Sequence, residues 1–166
     1  MKVHKSMTSI HPFSFLRKMQ NIFHPERFQG WGKEKRYFEG WYFKVVSSDT
    51  SKAFAFIPGI AIDEKSNAQA FIQILDGIKK TSTYHRLDAD LFRPSSNSFH
   101  VEIQNNIFNK NTLQLNLPEA HGVLKFKDQF PWPKSIFSPG IMGPFTFVPF
   151  MECYHGIVSM DHSIEG

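Results

Sequence analysis

Tyr37-Phe38-Glu39-Gly40-Trp41-Tyr42-Phe43-Lys44 places five aromatic rings around one carboxyl group within eight residues. Aromatic residues favour strands, and a strand turns successive side chains to opposite faces. On that reading Glu39, Trp41 and Phe43 share one face, while Phe38, Gly40 and Tyr42 share the other. A carboxylic acid beside an indole lies in a low-dielectric setting, which raises its pKa and keeps its proton in place near neutral pH. The neighbouring ring faces can stabilise a cation. A competing reading pairs Glu39 with Lys44, Arg36 or another cation at a sheet rim and leaves the rings to the core, because carboxylates are rarely buried unpaired.

Downstream, the two-residue period recurs. Ala53 to Ile62 is an apolar run interrupted by Pro58-Gly59, which predicts a buried strand bent or bulged at that pair. Ala68 to Leu75 follows the polar turn Asp63-Glu64-Lys65-Ser66-Asn67, and the two runs predict a hairpin. Phe99, Val101 and Ile103 alternate with His100, Glu102 and Gln104, and Leu113, Leu115 and Leu117 alternate with Gln114 and Asn116. Asn105-Asn106 and Asn109-Lys110-Asn111 mark connections, and Gly122 to Phe126 supplies a further strand. Short strands at close spacing with few helical windows predict an all-β antiparallel barrel or sandwich. From Phe130 to Phe150, prolines 131, 133, 139, 144 and 149 interrupt an apolar sequence. Such density excludes a helix or central strand and predicts a lid or binding segment over a cavity. Met151 to Ile157 returns to a strand-like pattern, expected beside the Tyr37 to Lys44 strand.

The 166 residues suffice for one domain with a real core. Residues 25–166 are read as the β domain, and residues 1–24 as an N-terminal segment. There Phe15, Leu16, Met19, Ile22 and Phe23 fall at helical spacing opposite Arg17, Lys18 and Gln20. This predicts a short amphipathic helix that packs on the domain or lies on a membrane surface. The segment carries Lys2, Lys5, Arg17 and Lys18 before the first acidic residue, Glu26, a weak transit-sequence pattern. No apolar run reaches the roughly 18 residues that span a bilayer. Cys153 is the single cysteine, which excludes an intrachain disulfide and fits a cytoplasmic setting. Eighteen phenylalanines and a charged fraction of 20% suit an apolar interior. The net charge is +4, with Lys33, Lys35, Arg36 and Lys44 around the aromatic run. That modest basicity favours a solvated loop over a nucleic-acid surface.

Several ordered motifs carry a family resemblance. His24-Pro25-Glu26-Arg27-Phe28-Gln29-Gly30 and the aromatic run are followed by Ala55-Phe56-Ile57-Pro58-Gly59-Ile60, Ala70-Phe71-Ile72-Gln73 and Trp132-Pro133. Pro139-Gly140-Ile141-Met142-Gly143-Pro144-Phe145 and Met151-Glu152-Cys153-Tyr154-His155-Gly156-Ile157-Val158-Ser159-Met160 come after them. In this order they resemble the N-terminal half of the tocopherol cyclase family. The resemblance implies a lipocalin-like barrel, expected to be incomplete here and to self-associate through an uncovered face. It also implies chromanol ring closure on a prenylated quinol, a lipophilic small molecule. An alkene is protonated, the tertiary cation is trapped by the phenolic oxygen, and the phenol loses its proton. No cofactor and no metal are implied. Glu39 is the first candidate acid, with Asp161 or Glu152 second. Trp41, Phe43 and Tyr154 are expected to face the cation, Trp132 and Phe145 to contact substrate, and His155 or His162 to accept the phenolic proton.

Rival chemistries have thinner support. His155, Asp161 and His162 are the one close set of metal-ligand types, without the helical spacing of a zincin. Ser159, His155 and Asp161 could form a triad, but no glycine-flanked serine elbow accompanies them. Cys153 near His155 suggests a thiolate and base, or ordinary packing. A different class, a non-catalytic barrel that binds lipophilic ligands, explains the aromatic interior equally well, and an inactive fragment of a longer chain is a third reading.

Overall fold

The computed structural model describes residues 23–135, 137–148 and 155–166, which form two antiparallel sheets. The first contains β1 (Tyr37–Gly40), β2 (Phe43–Val46), β3 (Ala53–Ile62), β4 (Ala68–Asp76) and β5 (Thr81–Asp88). Both β1 and β2 pair with β3, and β4 and β5 follow in order. The second contains β6 (Phe92–Pro94), β7 (His100–Ile103), β8 (Asn106–Asn109), β9 (Thr112–Asn116), β10 (His121–Phe130) and β11 (Asp161–Glu165), paired in chain order. Among the described residues neither sheet closes into a barrel. The architecture is all-β, as expected, in its open two-sheet form.

The alternation expected of the aromatic run is observed. Tyr37, Glu39, Trp41, Phe43 and Val45 turn inward, while Phe38, Tyr42 and Lys44 are exposed. Trp41, Phe56, Ile60, Ile72 and Ile74 of the first sheet meet Phe92, Phe99, Val101, Ile103, Phe108 and Leu113 of the second. Ile103, Phe108 and Leu113 are fully buried, and burying a side chain of this size contributes about 1.5–3 kcal/mol.

Pro58 breaks the strand beside β3; of the bend or bulge expected at Pro58-Gly59, no bulge toward β4 is present. The β3–β4 register runs without interruption through Pro58↔Ile72 and Gly59↔Phe71. On the other side, Trp41 N–H donates to Pro58 C=O at 3.0 Å. Proline has no N–H to return the second bond of that pair. The strand bordering β3 is therefore divided there into β1 and β2. Gly59 is required by close approach: a Cβ at that position would overlap the Phe71 ring and the Glu39 carbonyl. Over it, Phe38, Phe71 and Tyr84 stack across the outer face at 5.5 and 5.4 Å.

The expectation of a strand over Met151 to Ile157 is corrected in part. His155, Gly156 and Ile157 are not in a strand, and Met151 to Tyr154 lie outside the described residues. The final strand is instead β11, which pairs with β10 rather than lying beside β1. The amphipathic segment expected over residues 15–23 lies outside the described residues apart from Phe23. Among the described residues no helix is long and apolar enough to cross a membrane.

Candidate functional site

The inward turn of β1 brings Glu39 beneath the segment His24 to Gly30. Both Glu39 carboxyl oxygens accept the Gln29 backbone N–H, at 3.1 and 2.9 Å, and the Tyr37 hydroxyl donates to Oε2 at 2.5 Å. The Gly30 backbone N–H adds a further donor. Two residues along the same face, Trp41 Nε1–H donates to the Glu26 carbonyl at 2.8 Å. The segment is thereby fastened over the inner end of β1 by both Glu39 and Trp41. It is internally braced as well, since the Gln29 amide donates to the His24 and Arg27 carbonyls.

Among the described residues no cation pairs with Glu39. Arg36 bonds Glu64 at 3.0 Å, and Lys44 points to the exposed outer face. The partners of Glu39 are neutral donors. Burial pushes its pKa above the ordinary value of 4.5, and it outweighs the lowering by the Tyr37 hydroxyl and the Gln29 and Gly30 N–H groups. Tyr37 is also pushed upward, first by its burial and then by the adjacent carboxyl. Both groups therefore hold protons more firmly than they would in water.

A pH dependence follows. Because the folded pKa of Glu39 exceeds the unfolded one, the folded state binds the proton more tightly. That contribution to stability is complete below about 4.5 and is lost as pH rises through the folded value. Thermal midpoints measured from about pH 4 to about pH 8 should therefore decline in the native chain relative to Glu39→Gln, and parallel curves would contradict the assignment. Asp49 acts in the opposite direction and in a lower window. Hydrogen bonds from the Ser47 and Ser51 hydroxyls lower it from 3.8 to about 2, so its contribution is lost only as pH falls through that range.

Aromatic rings pack beside this carboxyl. Trp41 stacks on Phe92 at 6.3 Å and on Phe99 at 5.6 Å, while Phe43 stacks on Phe99 and Phe126 at 6.0 Å. Phe28 meets Phe92, Tyr37 and Trp31 edge-on. The described part of the proline-rich segment lies over the same end: Lys134 Nζ donates to the Phe23 carbonyl at 3.1 Å, and Gly156 leaves room for the Pro25 ring. A separate cleft of about 180 Å³ among Phe54, Ile74, Asp76, Lys79, Thr81, Thr83 and Glu119 contains none of the expected residues.

Other expected site residues are dispersed. Phe145 is 64% exposed on the 3₁₀ turn Gly143–Phe147, where it faces away from the interior. Trp132 is half-buried. His155 is exposed, with its backbone N–H on Met142 Sδ at 3.1 Å. Asp161 points outward because β11 alternates, and that same alternation turns His162 inward. Ser159 Oγ donates to the Asp161 backbone carbonyl at 2.6 Å, so a triad hydroxyl is not formed. Among the described residues no cluster of His, Cys, Asp and Glu could hold a metal. Glu152, Cys153 and Tyr154 lie outside the described residues.

His162 does not share the Glu39 centre. It packs edge-on to Phe126 at 5.1 Å, and Phe126 in turn lies on Phe43. Phe43 is four residues beyond Glu39, about 13 Å at the usual strand rise. Tyr37 is the functional neighbour that the sequence reading passed over. Its position two residues before Glu39 on one strand face was the available signal.

No family model matches the chain, and no curated protein or solved structure matches it.

Proposed function

We propose that this chain supplies the acid-bearing wall of a cyclase that closes a chromanol ring on a prenylated quinol. One observation supports the reading above the others: Glu39 faces inward, has no ion pair among the described residues, carries a raised pKa and is hydrogen-bonded to Tyr37 on the strand face it shares with Trp41. That is the setting which the resemblance to tocopherol cyclases requires. Glu39 gives its proton to the alkene, and the tertiary cation forms against the indole face. The phenolic oxygen then closes the ring, and the phenolic proton returns to the Glu39 carboxylate through the Tyr37 hydroxyl. Substrate and product have the same atoms and oxidation level, so no redox partner enters. General acid catalysis contributes about 10²–10⁴-fold, and a dry site protects the cation from water.

A lipophilic-ligand binder is the second reading. It is favoured by the mutual packing of Trp41, Phe43, Phe92 and Phe99, contacts that a passive core also makes. Incubation of the purified chain with a prenylated benzoquinol separates the two. A product of unchanged mass with chromanol absorption supports the cyclase. Saturable quinol binding without that product transfers the assignment to the binder, and neither result would remove both.

A further inference from the structure

The first sheet ends at β5, and β5 has one open edge. On one side it pairs with β4 along its whole length, from Asp76↔Thr81 to Gln69↔Asp88, without a register shift. On the other side, among the described residues, no strand and no backbone hydrogen bond meets it. Such an edge leaves alternate N–H and C=O groups unpaired and is a template for another strand. Edge strands are commonly shortened, bulged or interrupted by proline to prevent this. The edge strand β6 follows that rule, with three residues ending in Pro94. β5 does not: it runs for eight residues, is regular and has no proline.

Two features of its outward side chains select what the edge accepts. The aromatic stack on the outer face runs from Phe38 over Phe71 and stops at Tyr84. Tyr84 covers Phe71 with one side of its ring and is 48% exposed, and the strand order leaves its other side toward the open edge. Lys80 and Asp88 lie four residues before and four residues after Tyr84. Both are exposed, and among the described residues neither joins an ion pair.

That placement is self-complementary. A two-fold axis through Tyr84, normal to the sheet, sets each residue opposite the one equally far on the other side of Tyr84 in a second copy. Ser82 then faces Arg86, Thr83 faces His85, and Lys80 faces Asp88 of the second copy, so opposite charges meet twice. The two Tyr84 rings meet at the axis and continue the aromatic stack from one copy into the next. Neighbouring registers are poorer. An axis through Thr83 sets Lys80 against Arg86, and like charges directly opposite are unfavourable. An axis through His85 sets that residue against itself and directs Lys80 to Asp90, which has left the strand for the 3₁₀ turn Ala89–Leu91.

We propose that β5 is a self-docking edge, to which a second copy of this chain adds its own β5 antiparallel about Tyr84. An extended peptide of another protein can use the same backbone groups, but opposite charges placed symmetrically about Tyr84 select β5 itself. The edge lies apart from Glu39 and does not depend on the cyclase reading.

Sedimentation equilibrium of the full chain tests this together with hydrogen exchange. A monomer–dimer equilibrium is expected, and the β5 amides should gain protection as protein concentration rises. Lys80→Asp and Asp88→Lys each set like charges at both symmetric positions and should weaken the dimer by about tenfold, the scale of two exposed ion pairs. The double variant Lys80→Asp/Asp88→Lys restores opposite charges and should return to near the native dissociation constant. Far-ultraviolet circular dichroism verifies the fold of each variant. A monomer at every concentration, a dimer that leaves β5 exchange unchanged, or a double variant as weak as the single ones would overturn the proposal.

Discussion

Glu39→Gln is expected to reduce conversion of a prenylated quinol to its chromanol by about a hundredfold or more, the usual scale for removal of a general acid. The amide keeps the shape of the side chain and can still accept the Gln29 N–H, while Tyr37 can rotate its hydroxyl to accept from the new NH₂. Quinol binding should persist while the proton donor is gone. Turnover and thermal midpoint measured on one purified variant distinguish chemistry from support. If Glu39 serves only to fasten the Gln29 segment, the midpoint falls and the remaining folded protein converts substrate at the native rate. A fully active Glu39→Gln variant would eliminate Glu39 as the acid.

Trp41→Ala should be the most destabilising single change near the site. The indole is 8% exposed, stacks on Phe92 and Phe99, and holds the Glu26 carbonyl. Truncating a buried aromatic of this size costs about 3–5 kcal/mol, a large share of the roughly 5–15 kcal/mol that stabilises a domain. Trp41→Phe separates the two roles, because it keeps a stacking ring and removes the N–H. Its midpoint should fall less, while the Gln29 and Gly30 amides should exchange faster as the segment loosens. Denaturant unfolding together with amide exchange checks both. Unchanged exchange in Trp41→Phe would show that the indole hydrogen bond does not hold the segment.

The sequence made β3 and β4 legible because both carry long apolar runs. Ala53 to Ile62 was read to the residue, and Glu39, Trp41 and Phe43 were assigned to one face from the two-residue period alone. Strands with polar composition were missed. Thr81 to Asp88 contains a single aliphatic residue, and Asp161 to Glu165 exposes its charged positions at an edge, so neither shows an apolar alternation. The site was legible in part for a similar reason. Strand alternation predicts facing, but it does not predict which distant segment covers a face. The backbone N–H groups of Gln29 and Gly30 therefore could not be foreseen as partners of Glu39, nor could the separation of His162 from it. Phe145 was misplaced because an aromatic residue in a proline-rich loop has no periodicity to fix its direction.

The pairing order of the two sheets has a kinetic consequence. Among the described residues, hydrogen-bonded strand neighbours are close in the chain except β10 and β11, which residues 131–160 separate, and the chain leaves the first sheet for the second between β5 and β6. Local pairing keeps loop-closure entropy small, so each sheet can assemble as a meander without waiting for the other. Among the described residues, contacts of Phe23 and Pro25 with Lys134 and Gly156 span more than a hundred positions of sequence. Their closure is entropically the most expensive, which makes docking of Lys134 and Gly156 against residues 23–25 a late step in folding. The segment that covers the Glu39 carboxyl is held across only 10 and 15 residues, so it can dehydrate that group before the distant segments meet.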